Sequence, residues 1–392
     1  MAFLPYGRQF IDIADLQAVS ESLQSDYLTT GPEVERFEKD LADFLGVKHA
    51  IAVNSCTSAL HIAMLAAGIK TGDRVITTPN TFLASANCAA YVGARPDFAD
   101  IDPQTYNLSA TALEKKMGPD VRAVVAVDFA GQTPDMPRIA EIARRQGAVV
   151  IEDACHAIGT EFEEQGKRYR VGNHPWADIS AFSFHPVKTM TTGEGGFLAT
   201  NNDDYAAASR LIRSHGVVRQ TEAFQGLGRG AEEFGPWYYE MQSLGYNFRI
   251  TDFQCALGRS QLKKLPGFIR RRQEIVAAYN EAFRDLPHFK TPQAHWPTLT
   301  SWHLYVAQID FKAIGTTRTT IMQALRDQGI GTQVHYIPVH LQPYYRQTYG
   351  TNPGDYPMAE AYYDRCLSLP LYPGLTEDDV QRVIKAVRDV VK

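Results

Sequence analysis

Lys188 stands in the stretch SFHPVKTMTTGEGG, five residues beyond Ser183, after the apolar run ISAFSF and before a glycine-rich turn. Once desolvation or a neighbouring cation removes its proton, a lysine amine becomes a nucleophile or base, and with a carbonyl it forms a Schiff base. The alternative for any single lysine is a solvated surface charge. Asp153 closes a second apolar run, AVVIE, and is followed by Ala154, Cys155 and His156. A carboxylate at the end of a buried strand needs a partner, either a structural hydrogen bond or a heteroaromatic nitrogen that it keeps protonated. After a third run, HAIAV, the residues Ser55, Thr57 and Ser58 of NSCTSAL open an apolar helix. They read as a plain N-cap or as hydroxyls and amide N–H groups offered to a phosphate.

The elements around these residues put the three run ends in one place. Between Pro32 and Leu45 the apolar residues Val34, Phe37, Leu41 and Phe44 recur at helical spacing, with Gly46 as the stop. Short apolar runs then alternate with helical patterns as far as about Asn201, which predicts a mainly parallel sheet covered by helices. Ligands of such sheets bind beyond the carboxyl ends of the strands. An anion cradle, a carboxylate and a lysine on three such ends meet the needs of pyridoxal 5'-phosphate, which becomes the expected cofactor. A lysine at this place would then shuttle protons for an amine exchange.

A polar, glycine-rich segment from Val217 to Pro236 reads as a loop. From about Thr251 a long helical pattern, FQCALGRSQLKKL and then RRQEIVAAYNEAF, precedes strand-like HLYVAQID, helix-like TRTTIMQALRDQG and an amphipathic helix after Thr376. The expected organisation is an N-terminal segment 1–30, a large cofactor-binding domain 31–250 and a small α+β domain 251–392.

Composition limits the remaining possibilities. The chain has 392 residues, 44% hydrophobic and 21% charged, with a formal net charge of −5. That balance, with Lys and Arg dispersed, argues against nucleic-acid and anionic-membrane partners. Cys56, Cys88, Cys155, Cys255 and Cys366 are odd in number and widely spaced, so neither a disulfide framework nor a zinc or other metal site is expected. The start MAFLPYGRQF lacks the pattern of a signal peptide, and ALHIAMLAAGI is too short to span a bilayer. A cytoplasmic protein is the expectation.

The ordered stretches SDYLTTGPEVERFE, NSCTSALHIA, TPNTFLASAN, IEDACHAIG, SFHPVKTMTTGEGG, LIRSHG, GYNFRITDFQCALG and HYIPVHLQPYYR run through nearly the whole chain. In them the protein resembles the DegT/DnrJ/EryC1/StrS family of sugar-nucleotide aminotransferases. The resemblance implies the type I fold of pyridoxal-phosphate enzymes, like that of aspartate aminotransferase: a mainly parallel central sheet between helices, plus a smaller α+β C-terminal domain. It further implies that Lys188 forms the Schiff base, that Asp153 pairs with the pyridinium nitrogen, and that Thr57, Ser58 and Ser183 hold the phosphate. Phe82 would stack on the ring; the alternative for such an aromatic is core. His156 stands where many relatives carry glutamine against the cofactor's phenolic oxygen, and Cys56 where many carry glycine. Asn247 matches a position that reaches the phosphate of a neighbouring subunit, which implies a homodimer.

Within the family, LPYGRQ, SFHPVK, TTGEGG and HYIPVHLQPYYR look most like the branch that makes UDP-4-amino-4,6-dideoxy-N-acetyl-β-L-altrosamine, a step toward pseudaminic acid. Tyr6, Tyr27, His335 and Tyr336 are candidates for contacts to nucleotide sugar or amino donor, or else ordinary loop and interface residues. The expected reaction is amination of UDP-2-acetamido-2,6-dideoxy-β-L-arabino-hexos-4-ulose with glutamate as donor. The alternatives are other UDP-, dTDP- or GDP-linked 4-keto-6-deoxy sugars.

Two rivals differ in class. A sugar dehydratase of the same superfamily carries histidine at the lysine position, against which Lys188 speaks. A non-catalytic sugar-nucleotide-binding regulator has no need of Lys188, Asp153, Thr57 and Ser183 together. A dinucleotide-binding reading fails because Gly226, Gly228 and Gly230 follow no convincing strand. His185 finds no role in the chemistry.

Overall fold

Local sequence starts each early element. Asp12 and Asp15 cap one another reciprocally at the head of α1 (Ile13–Leu23), a helix that the sequence reading left within the N-terminal segment. Pro32 at the first position and Gly46 at φ 78° bracket α2 (Pro32–Leu45), the helix expected there. In this computed structural model, residues 2–226, 235–294 and 298–391 are described; Gly228 and Gly230 lie outside them.

The alternating region follows the sequence. It runs β1 (His49–Val53), α3 (Cys56–Ala66), β2 (Arg74–Thr77), α4 (Ala84–Tyr91), β3 (Arg95–Phe98), α5 (Ala110–Lys116), β4 (Val121–Val127), α6 (Met136–Arg144) and β5 (Val149–Asp153). A hairpin of β6 (Glu161–Glu164) and β7 (Lys167–Arg170) intervenes before β8 (Ile179–Ser183), β9 (Gly196–Thr200) and α7 (Asp203–Arg213). Seven strands form one sheet in the order β1-β9-β8-β5-β4-β2-β3. Only β9 runs against the rest, pairing antiparallel with both β1 and β8.

That single reversal sets the site. It brings the ends of β1, β8 and β5 to the same edge, with β9 between the first two. The close approach depends on Gly196: a Cβ there would meet Phe182 O at 2.5 Å and Cys56 N at 2.7 Å, both backbone atoms. Gly193, at φ 83°, makes the turn itself. Apolar clusters cover both faces of the sheet, around Phe182 and Phe197 on one and around Ile51, Ile151 and Leu198 on the other.

Beyond α7, β10 (Val217–Val218), at the start of the glycine-rich segment, pairs over two residues with β11 (Glu240–Met241), which follows that segment. The long helical pattern that follows is one helix, α8 (Asp252–Phe283), with Pro266 inside it. An internal proline costs about 3 kcal/mol. Burial of Leu262, Leu265, Phe268 and Ile269 around it offsets that loss. A second, antiparallel sheet joins β12 (Phe289–Lys290), β14 (Tyr305–Ile309) and β15 (Cys366–Leu369), while β13 (Thr298–Leu299) adds to the β6–β7 hairpin. Helices α9 (Arg318–Asp327), α10 (Pro343–Tyr349), α11 (Pro357–Arg365) and α12 (Glu377–Val390) complete this part. Its core also takes in Leu4 from the N-terminal segment. Among the described residues no helix is long and apolar enough to cross a membrane.

Candidate active site

The end of β1 becomes a helix N-terminus within two residues. Ser55 Oγ accepts from Ser58 N at 3.1 Å, and Ser58 Oγ donates to Asn54 Oδ1 at 2.6 Å. The first turn of α3 carries no acidic side chain, so the helix dipole and the leading amide N–H groups favour an anion there.

At the end of β8, His185 N donates to Ser183 Oγ at 3.3 Å, and His185 O accepts from Lys188 N at 2.9 Å. His185 therefore serves the tight turn that carries Lys188. Lys188 Nζ lies 4.0 Å from Cys155 Sγ and forms no ion pair with a described residue.

At the end of β5, Asp153 is only 2% exposed. Its Oδ2 accepts from Ser85 Oγ at 2.6 Å, and Ser85 is hydrogen-bonded to Thr81 at 2.7 Å. Its Oδ1 faces Cys155 N at 3.3 Å. The buried carboxylate thus has the structural partner that the sequence demanded, and it still borders open space.

That space is a cavity of about 620 Å³, lined by Thr57, Phe82, Asp153, Ser183 and Lys188. Tyr6, His335 and Tyr336 line it as well. Phe82 is 56% exposed at its mouth rather than in the core. Ser58 and His156 stand one layer behind the wall; His156 Nε2 lies 3.1 Å from Tyr336 Oη. Tyr27 and Asn247 are outside this cavity. Tyr27 is exposed beside Gly31, and the backbone of Asn247 pairs with Ser214. Sequence reasoning missed Ser85, Thr81, His303 and Gln333. Thr81 and Ser85 lie inside TPNTFLASAN and His303 opens HLYVAQID, but none of the four stands on a strand end, so only the folded chain shows them at the site. Cys155 and Glu194 likewise lie inside stretches already singled out.

Burial dominates the electrostatics. It holds His335 down at about 3, with Lys188 adding to the effect. Burial and then Lys188 likewise hold His156 and His303 well below the ordinary histidine range. Burial pushes the Tyr336 phenol well above its usual value, and Cys155 and Asp153 push it further. The Cys56 thiol is raised by its hydrogen bond with Cys155 and by burial. Three imidazoles that stay neutral when folded protonate near pH 6.5 when unfolded, so below that pH the unfolded state binds more protons and stability falls. We expect thermal unfolding between pH 6.5 and 5 to lose about 1.4 kcal/mol per pH unit for each such histidine. A melting temperature that stays flat across that window would contradict the neutral cluster.

The residues present suit pyridoxal phosphate. The start of α3 is an anion site without competing acids, the lysine has no carboxylate partner among the described residues, and the aspartate keeps a face toward the cavity.

Comparison with known proteins agrees with this reading. The DegT/DnrJ/EryC1/StrS aminotransferase family pattern matches residues 9–388. The spore coat polysaccharide biosynthesis protein SpsC of Bacillus subtilis (strain 168) is 45% identical over 391 residues, 100% of this chain and 97% of that protein. Among solved structures, Helicobacter pylori PseC, an aminotransferase involved in the biosynthesis of pseudoaminic acid, matches with a TM-score of 0.89 and 33% identity over 99% of both chains. The sugar aminotransferase Spr1654 of Streptococcus pneumoniae, solved in its PMP form and described as putative, matches with a TM-score of 0.89 and 26% identity over 99% of both chains. With the family pattern spanning the chain and the lysine, aspartate and helix N-terminus gathered at one sheet edge, this protein belongs to the DegT/DnrJ/EryC1/StrS aminotransferase family and is a pyridoxal-phosphate-dependent sugar aminotransferase.

Proposed function

We propose that the protein aminates the C4 ketone of a nucleotide-linked 4-keto-6-deoxy sugar, with UDP-2-acetamido-2,6-dideoxy-β-L-arabino-hexos-4-ulose as substrate and glutamate as amino donor. One observation carries the reaction: Lys188, without an ion-pair partner among the described residues, shares a cavity with Asp153 and the start of α3. The likeness to PseC supports the choice of sugar.

When bound, pyridoxal phosphate supplies an aldehyde carbon for amine exchange and a ring that accepts an electron pair from the Cα–H bond. In our proposal Lys188 Nζ holds the cofactor covalently and, once released, moves a proton at the reacting carbons. Asp153, oriented by Ser85, keeps the ring nitrogen protonated through a charge-assisted hydrogen bond. Thr57, Ser58 and Ser183 hold the phosphate at the helix N-terminus, and Phe82 covers the ring face. Tyr6 and His335, which line the cavity, contact the nucleotide sugar or the amino donor in this reading, and Tyr27, outside the cavity, is kept as a further candidate for that contact.

Asn247 lies outside this chain's cavity, in keeping with a homodimer in which it reaches the phosphate of a second copy. Five free thiols, two of them lining the cavity, favour a reducing, cytoplasmic setting. Segments 1–30, 31–250 and 251–392 remain the proposed division of the chain.

The test is a panel of UDP-, dTDP- and GDP-linked 4-keto-6-deoxy sugars incubated with glutamate. The expected outcome is amination of the UDP sugar at C4. Amination of dTDP sugars alone would overturn the substrate, and elimination without amination would favour the dehydratase.

A further inference from the structure

Two hydrogen bonds fix where His156 carries its proton. The backbone N–H of Ala130 meets His156 Nδ1 at 3.2 Å. An N–H can only donate, so Nδ1 presents its lone pair. Burial keeps the ring neutral, which leaves one proton, on Nε2. That atom lies 3.1 Å from Tyr336 Oη, so His156 donates and Tyr336 accepts.

The arrangement is held from both sides. Ala130 sits in the left-handed region at φ 58°, and its carbonyl accepts from His303 N at 3.2 Å. The His303 ring packs 4.4 Å from that of His156.

A phenol that accepts from histidine keeps its own O–H for another acceptor. No described residue accepts that proton, and Tyr336 lines the cavity. The titratable groups around it are Tyr6, Asp153, Cys155, His156, His335 and Tyr362. In the pyridoxal ring the phenolic oxygen sits beside the aldehyde carbon, on the side away from the phosphate arm. With Lys188 marking the aldehyde, Asp153 the nitrogen and α3 the phosphate, as proposed above, the oxygen would fall on the edge between Lys188 and Asp153. Tyr336 lines the same cavity as Lys188, Asp153 and Cys155, and it is hydrogen-bonded to His156, three residues beyond Asp153, while Cys155 Sγ is 4.0 Å from Lys188 Nζ.

We propose that Tyr336, its hydroxyl turned into the cavity by His156, donates a hydrogen bond to the phenolic oxygen of the cofactor. His156 is then a positioning residue that acts through Tyr336. This rests on the placement of Lys188 and Asp153 proposed above. It moves Tyr336 from the sugar to the cofactor and His156 one step away from it.

The experiment is a pH titration of the bound cofactor's visible absorption in the reconstituted enzyme. A donor to the phenolic oxygen stabilises the deprotonated form, so losing it raises the apparent pKa. Tyr336→Phe should raise it by about one to two units. His156→Phe should raise it less, and the double variant should titrate like Tyr336→Phe alone. Site-specific 3-fluorotyrosine at position 336, a stronger donor of native size, should lower it and covers the case in which Tyr336→Phe misfolds. A Tyr336→Phe enzyme that titrates like the wild type overturns the proposal. So does a further shift on adding His156→Phe, which would put His156 itself on the oxygen. Failure of the wild type to take up cofactor at Lys188 would overturn the site assignment as well, whereas an unshifted Tyr336→Phe overturns this inference alone.

Discussion

Replacing Lys188 by alanine is expected to reduce amination of the keto sugar by at least about 1000-fold, since both the covalent anchor and the proton carrier go with one side chain. The fold should survive. Lys188 is half-buried and makes no ion pair with a described residue, and its charge bears on His156, His303 and His335, which burial already keeps neutral. Removing a cation from beside them relieves them. Borohydride reduction followed by peptide mass spectrometry should fix cofactor on Lys188 in the wild type and none at this position in the variant. Addition of a small primary amine should restore part of the rate by supplying the missing base. A variant with wild-type turnover would remove Lys188 from the chemistry altogether.

Asp153→Asn is expected to lower the rate by about 100-fold or more and to weaken cofactor binding. The physical reason lies in the pairing of charge. A carboxylate facing the ring nitrogen makes a charge-assisted hydrogen bond, roughly twice as strong as a neutral one, and an amide of the same shape removes the charge while leaving the cavity unchanged. The amide oxygen can still accept from Ser85 Oγ, 2.6 Å from Asp153 Oδ2. Any loss of stability should therefore stay near the 1 kcal/mol of a single hydrogen bond. Steady-state kinetics together with the cofactor Kd, read from protein fluorescence, separate the two effects. If stability fell and the rate did not, Asp153 would be a structural residue held by Ser85.

How much of this was legible beforehand depends on the range of the interactions involved. Helix α2 announced itself through Pro32, Gly46 and an apolar stripe, all within its own 14 residues and the one that follows. The alternation of β1 to β5 with helices was equally readable, because burial of parallel strands demands continuous apolar runs. Helix α1 escaped notice: its caps are local, but Ile13, Leu16 and Leu23 are exposed, which blurs the expected core-facing stripe. The long helical pattern after Thr251 continues through Pro266 as one helix, since packing against the N-terminal helices and the core outweighs one missing backbone hydrogen bond.

The candidate site divides in the same way. Lys188, Asp153, Thr57 and Ser183 could be singled out because strand ends of a parallel sheet share one edge whatever the loops do. The sequence alone therefore determined the class of fold, the cofactor chemistry and the family. It could not determine which groups hold those residues in place. Ser85 reaches Asp153 across 68 residues and Tyr336 reaches His156 across 180, and no local pattern encodes a contact at such separation. Only the tertiary structure decided that Tyr27 lies outside the cavity, that His156 stands behind Tyr336, and that a backbone N–H sets its tautomer. Those are matters of how separate elements pack, and packing is fixed by the whole folded chain rather than by any segment of it.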